Sequence, residues 1–204
     1  MGLFRAGGEV LFKGKPLDMN KTAQVLSEGI AFVSEDRRGV GLLLDESLDW
    51  NIAFTAMQAK NKYLKKYLGG LITLRDEKAM KALADDYIKM LKIRCTGSQQ
   101  KARELSGGNQ QKVCLAKAFC LEPDLLFVAE PTRGIDVGAK YEIYQLIINM
   151  AKAGKTIIVV SSEMPEILGI TNRIAVMSNY RLAGIVDTAS TDQEALLRLS
   201  ARYL

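Results

Sequence analysis

One arrangement constrains this chain more than any other. A serine and two glycines open a polar run, and about twenty residues later an apolar run ends in a carboxylate. The first string is Glu104-Leu105-Ser106-Gly107-Gly108-Asn109-Gln110-Gln111-Lys112. The second is Leu125-Leu126-Phe127-Val128-Ala129-Glu130-Pro131-Thr132-Arg133-Gly134-Ile135-Asp136. A Ser-Gly-Gly helix start leaves backbone N–H groups unpaired, offers no side-chain bulk, and adds the positive end of the helix dipole, which suits an anion. Taken alone it is an ordinary capped helix. The second string gives it a chemical direction, because open α/β sheets place their ligand sites where a buried strand ends and a polar side chain leaves it.

The rest of the chain fits such a sheet. Glu9-Val10-Leu11-Phe12 reads as a strand entering a tight turn at Lys13-Gly14-Lys15-Pro16. Thr22 to Glu28 reads as a short helix stopped by Gly29, with Ile30-Ala31-Phe32-Val33 as a buried strand and Ser34 to Gly41 as a loop. From Leu48 to about Arg94 the pattern is helical, broken at Gly69-Gly70, with Met80, Leu83, Tyr87 and Met90 as the buried face of the best-defined helix. After Ser106-Gly107-Gly108 the order is helix, strand (Leu125 to Val128), loop, helix (Val137 to Lys152) and strand (Thr156 to Val160). Further strands around Ile174 to Met177 and Leu182 to Val186 precede a closing helix from Asp192. Strands alternating with helices predict an α/β fold with a mostly parallel sheet covered on both faces. Residues 1–36 and 105–204 would form the core, and residues 37–104 an inserted helical subdomain. No internal repeat is present.

Composition narrows the function classes. No apolar run approaches the roughly 20 residues of a membrane-spanning helix, and the start lacks a secretory apolar stretch, so a cytoplasmic chain is expected. Net charge is +5, but the charges are interspersed along helices, which argues against nucleic acid as a partner. The densest basic stretch, Lys60 to Tyr67, reads as a solvated helix face or one turned to an anionic membrane surface. With no histidine, zinc sites and histidine-based catalysis are excluded, and no metal-binding cluster is expected. Cys95, Cys114 and Cys120 form no C-x-x-C pair and are expected as reduced, half-buried thiols.

LSGGNQQK followed by EPTRGID resembles the signature motif, Walker B end and D-loop of ABC-transporter nucleotide-binding domains, in the form found in the second half of ribose- and galactose-type sugar importer ATPases. Phe32-Val33-Ser34-Glu35-Asp36-Arg37-Arg38 is similar to that family's Q-loop, and the resemblance runs from about residue 7 to about 190. It implies a P-loop NTPase-like fold with ATP and Mg²⁺ as cofactors. Ser106, Gly107, Gly108 and Gln110 would face the nucleotide of an opposing subunit, and Glu130 would polarise the attacking water. Glu35, Asp136 and Ser162 would take the coupling and dimer-contact positions. The implied partners are a second nucleotide-binding domain, transmembrane permease subunits docking on the helical insert and, indirectly, a periplasmic sugar-binding protein. The implied place is the inner face of the plasma membrane.

Three departures shape the expected activity. No G-x-x-x-x-G-K-[ST] occurs in the 204 residues, and the chain begins where the family's phosphate loop would end, so an N-terminally truncated core is expected. Gly154-Lys155-Thr156 only mimics its end, since the order there is helix, turn, strand rather than strand, loop, helix. Ala129 stands at the Walker B aspartate and Ser162 at the switch histidine; neither supplies the missing charge. Because phosphoryl transfer rests on positioning and electrostatics, the chain alone is expected to hydrolyse ATP poorly or not at all. The alternative is a non-catalytic half that completes a partner's ATP site or docks the membrane subunit. A chromosome-structure ATPase would need long heptads, which the sequence lacks.

Overall fold

The computed structural model describes residues 7–67, 69 and 71–204. Contacts group the chain into two compact units, the first ending at Ile158 and the second running Val159–Leu204. That boundary falls inside the segment expected as the second part of the core.

The first unit opens with a small hairpin, β1 (Leu11–Phe12) and β2 (Lys15–Pro16). The turn between them is Lys13-Gly14, both at positive φ (50° and 75°), the backbone that a two-residue hairpin loop requires. Helix α1 (Thr22–Ser27) stops at Gly29, whose φ of 94° reverses the chain into β3 (Ile30–Val33). β3 pairs in parallel with β6 (Leu125–Ala129), and β6 neighbours β7 (Thr156–Val160). The register sets Ala31 opposite Leu126 and Val33 opposite Val128. These four share one face and are all buried, with α4 (Gly107–Phe119) packed on β3. The other face is only partly covered. Ile30 joins Leu17 and Val25 in a small core with Phe12, Met19, Leu125 and Phe127, but Phe32 is 43% exposed and Ile158 41%. Sheet coverage on both faces is therefore not what the described residues provide. Their helices do not extend over the Phe32 end of that face.

Two other expectations are corrected. The stretch Leu48 to Arg94 is not helical throughout. Helix α2 (Leu48–Lys60) ends at Asn61 in the left-handed region (φ 51°), and Tyr63 follows at φ 61°. An antiparallel pair then forms, β4 (Leu64–Tyr67) with β5 (Ile72–Arg75). The β-branched Ile72-Thr73 favour extended chain, and the glycines before them disfavour helix. Lys60 to Tyr67 is thus a helix end and a strand, not one helix face. Helix α3 (Glu77–Met90) is capped by Asp76, whose side chain accepts from Ala79 N at 3.1 Å. Its buried stripe is Met80 and Ala84, continued by Leu91, whereas Met90 is exposed. A step of four, then seven, keeps residues on one helical side, and Met90 falls one residue off it.

Ser34 to Gly41 holds more structure than a loop. Arg37–Gly41 forms a π-helical turn capped by Asp36, which accepts from Gly39 N at 2.8 Å. Helix α5 (Val137–Lys152) ends at Gly154 (φ 85°), where Lys155 N returns to Met150 O at 3.2 Å, so Gly154-Lys155-Thr156 is a helix-ending turn before β7.

In the second unit, α6 (Met164–Ile170) precedes an antiparallel pair, β8 (Arg173–Ser178) with β9 (Arg181–Asp187), irregular at Val176/Met177. Ile174, Val176 and Leu196 form its core, and α7 (Gln193–Ser200) closes it, capped by Asp192.

Candidate functional site

The start of α4 is built by close packing. Ser106 is extended (φ −61°, ψ 158°) and exposed, and its Oγ accepts from Asn109 Nδ2 at 2.9 Å rather than capping the helix. The first turn carries no acidic residue. Gly108 is required by geometry: a Cβ there would lie 2.7 Å from the Ala139 Cβ of α5. At Gly107 a Cβ would meet the Gly134 carbonyl oxygen at 3.4 Å and Arg37 Nη2 at 3.5 Å. The two glycines therefore do different jobs. The second lets two helices touch, and the first leaves space beside a guanidinium and a loop carbonyl.

The polar residues that follow face inward. Asn109 Oδ1 accepts from Arg94 N at 2.9 Å, and Gln110 Nε2 donates to Ala102 O at 3.1 Å. The buried Lys112 donates to Lys92 O at 2.9 Å and pairs with Glu142 at 2.6 Å. Gln110 is buried, and its Nε2 ties α4 to the 3₁₀ turn Ala102–Glu104, whereas Ser106 is exposed. Helical rotation carries Gln110 to the opposite side within two residues of Gly108.

Two arginines that the motif reading gave no role stand in front of the helix start. Arg37 Nη1 donates to Arg133 O at 2.7 Å, while Arg133 Nη1 pairs with Glu35 Oε2 at 2.8 Å. Glu35 is thus anchored to the loop after β6 rather than free. The turn carrying Arg37 is also fixed along α4: Lys117 Nζ donates to Gly41 O at 3.0 Å, and a Cβ at Gly41 would come within 3.2 Å of Cys114 Sγ. Burial lowers the Lys117 pKa and pushes the Cys114 thiol up to about 12, which makes that thiol a packing group rather than a nucleophile. The sequence signal was available: Arg37 and Arg133 each sit inside a quoted motif string, but nothing in the spacing says that they meet.

Glu130 follows β6 half-buried, with its backbone at φ 44°. A glutamate in the left-handed region at a strand end is a strained position that packing must enforce. Asp136 caps α5, accepting from Ala139 N at 3.0 Å. Its carboxylate is exposed but already engaged. Ser162 lies in the second unit, ahead of α6, and is exposed. In the first unit the chain brings Glu35, Arg37, Ser106, Gly107, Arg133 and Gly134 together. A phosphate fits this arrangement: it offers free helix-start N–H groups, no competing carboxylate in the first turn, and a guanidinium alongside. Among the described residues no cluster of three or more His, Cys, Asp or Glu stands together, and Ala129 ends β6 without a ligand side chain.

Fold and site together define an ATP-binding domain of the ABC type. Residues 1–133 match the family model described as ABC transporter, and the chain belongs to that family. It is 53% identical over 199 residues to the galactose/methyl galactoside import ATP-binding protein MglA of Treponema pallidum (strain Nichols), an alignment taking in 98% of this chain and 38% of the relative. It is 42% identical over 200 residues to the protein of the same name from Escherichia coli (strain K12), with the same coverage. The chain therefore spans 38% of the length of these curated relatives. Among solved structures it is similar to a dimeric ATP-binding cassette in a post-hydrolysis state bound to ADP and Pi. That match has a TM-score of 0.70 and 21% identity, and covers 89% of this chain and 74% of the other. A second ATP-binding cassette of an ABC transporter gives a TM-score of 0.72 at 20% identity, over 96% of this chain and 74% of the other. At such identities the agreement is one of fold, the α/β P-loop NTPase architecture of ABC ATPases. No helix among the described residues is long and apolar enough to cross a membrane.

Proposed function

We propose that this chain is part of the ATP-binding subunit of a carbohydrate importer and that its working surface is the start of α4, which serves ATP held by an opposing nucleotide-binding domain. The observation that carries this reading is the geometry of that start. Ser106 is exposed, the first turn has no carboxylate, and Arg37 lies beside Gly107 with no carboxylate paired to it among the described residues. A helix dipole and a guanidinium at one point favour a phosphate arriving from outside. The sugar-import role rests on the relatives' names, and a galactose-type sugar is the cargo class they suggest.

In this reading Glu130 orients the attacking water, Asp136 holds the start of α5 at the domain contact, and Glu35 with Arg133 ties the loop before Arg37 to the loop after β6. ATP supplies the phosphoryl group, and Mg²⁺ bound with it would neutralise charge on its phosphates. The 204 residues contain no G-x-x-x-x-G-K-[ST], so turnover by this chain alone is slow or nil. Membrane permease subunits, and through them a periplasmic sugar-binding protein, are the implied partners at the inner membrane face. The deciding experiment mixes the chain with an intact nucleotide-binding domain and measures Mg²⁺-dependent ATP turnover. Stimulation by this chain, lost on Ser106→Arg at unchanged fold, is the expected result. Unchanged turnover with Ser106→Arg overturns the shared-site reading.

A further inference from the structure

The β4–β5 hairpin is unlike the rest of the first unit. Among the described residues its two strands pair only with each other. The register sets Lys65 opposite Leu74 and Tyr67 opposite Ile72, so these four share one face; Leu64 with Arg75 and Lys66 with Thr73 make the other. The second face is tethered to the fold, with the Arg75 guanidinium 4.7 Å from the Trp50 ring centroid on α2. On the first face Lys65 pairs with Asp76, but the apolar side chains are uncovered by the described residues. Tyr67, Ile72 and Leu74 are 48%, 45% and 56% exposed, and Leu71, immediately before β5, is 88% exposed.

Charge says what would cover it. From Lys60 to Arg75 the chain holds five cations, Lys60, Lys62, Lys65, Lys66 and Arg75, and no carboxylate. Asp76, Glu77 and Glu122 pair with three of them. The Glu77 and Glu122 pairs are largely exposed, so their charges exchange partners at little cost. Lysine is depleted at the centre of protein–protein interfaces, whereas an aromatic and aliphatic face bordered by lysines is the composition of segments that lie in a lipid headgroup region. We propose that this hairpin is an interfacial anchor: its Tyr67–Ile72–Leu74 face and Leu71 enter the headgroup region of an anionic bilayer, and Lys62, Lys65 and Lys66 beside it meet the lipid charges. The contact uses none of the residues assigned to nucleotide and stands or falls separately from that reading.

The test is co-sedimentation of the 204-residue chain with vesicles of phosphatidylglycerol and phosphatidylcholine, against phosphatidylcholine alone. Binding is expected to the anionic vesicles only, and to weaken at high salt, which screens exposed charges. Leu71→Asp should reduce partitioning by about tenfold or more, the scale of one buried leucine side chain, and Lys66→Glu should reduce it by about several-fold, since each lysine near an anionic surface contributes on the order of 1 kcal/mol. Both positions are exposed, so far-UV circular dichroism should not change. As a second measurement, Leu71→Trp should give an emission component, beyond that of Trp50, that shifts to the blue on anionic vesicles and is quenched by brominated lipid. Absent vesicle binding, binding unchanged by Leu71→Asp, or an unshifted indole each overturns the proposal. So does protection of the hairpin by a permease in detergent without lipid, which would make the occupant a protein.

Discussion

Helix α4 and the β4–β5 hairpin invert what their compositions suggest. The polar string Asn109-Gln110-Gln111-Lys112 lies mostly inside, with Gln110, Gln111 and Lys112 each at or below 2% exposure, while Ile72, Leu74 and Leu71 lie outside. The difference is one of partners. Around α4 the neighbouring segments present groups to Asn109, to Gln110 Nε2 and to Lys112: Arg94 N, the carbonyls of Ala102 and Lys92, and the Glu142 carboxylate; Gln110 Oε1 and the Gln111 amide are buried with no partner among the described residues. A buried polar group costs little once it is hydrogen-bonded. Around the hairpin the described residues offer Trp50 to one face, and to the other only Asp76, which pairs with Lys65 and leaves the apolar side chains uncovered. Burial here follows what the surroundings supply, and hydropathy alone misassigns both regions.

Three measurements of stability can break that comparison, and the largest effect belongs to the helix. Gly108→Ala would drive a methyl to within 2.7 Å of the Ala139 Cβ. Overpacking of this kind costs about 1–3 kcal/mol, against roughly 1 kcal/mol of helix propensity gained. A net loss of stability in urea is expected, with Gly107→Ala much milder because its contacts begin at 3.4 Å. Equal effects at the two glycines would mean that α4 does not depend on close approach to α5.

On the same helix, Lys112→Met removes a buried ammonium and leaves Lys92 O and Glu142 without it. An expected loss of about 1–3 kcal/mol follows from the unsatisfied group. Its pH dependence has a definite sign. The hydrogen bond from Lys112 is the chief cause holding the Glu142 carboxyl below its ordinary value. A depressed folded pKa contributes stability that is present above the unfolded carboxylate range and is lost as pH falls through the folded value. The difference between the unsubstituted chain and Lys112→Met should therefore narrow on acidification below the usual carboxylate range. The Glu142 side chain is 41% exposed, so the narrowing is small compared with the neutral-pH loss. A difference that grows on acidification would remove the pair from the account.

Much of the fold was legible because its signals are local. Gly29 and Gly154 end helices where the sequence places them, and the apolar runs at Ile30 and Leu125 do become paired strands. The hairpin was not legible, because Leu64 to Tyr67 suits a helix as well as a strand, and its partner in register lies across Gly69-Gly70. In the site, the string at Ser106, Gly107 and Gly108 marks the start of α4, which is a helix start with no acidic residue in its first turn. The burial of Gln110 is not legible in the motif, which does not say which way a helical side chain turns. Arg37 was passed over because its contact with Arg133 spans 96 residues, a pairing that only the folded sheet creates.

The smallest effect is expected in the hairpin, and it sharpens the comparison most. Leu74→Thr places a β-branched, strand-compatible side chain at a position 56% exposed and opposite Lys65. Surface changes of this kind fall within about 0.5 kcal/mol. Unfolding should therefore be nearly unchanged by a substitution that removes apolar surface, just as it should be markedly changed by adding one methyl at Gly108. If Leu74→Thr instead costs more than about 1 kcal/mol, some part of the chain covers that face in solution. The apolar stripe would then be ordinary core, and the contrast with α4 would disappear along with the bilayer contact. If stability holds while vesicle partitioning falls, the leucine is kept for something outside the fold.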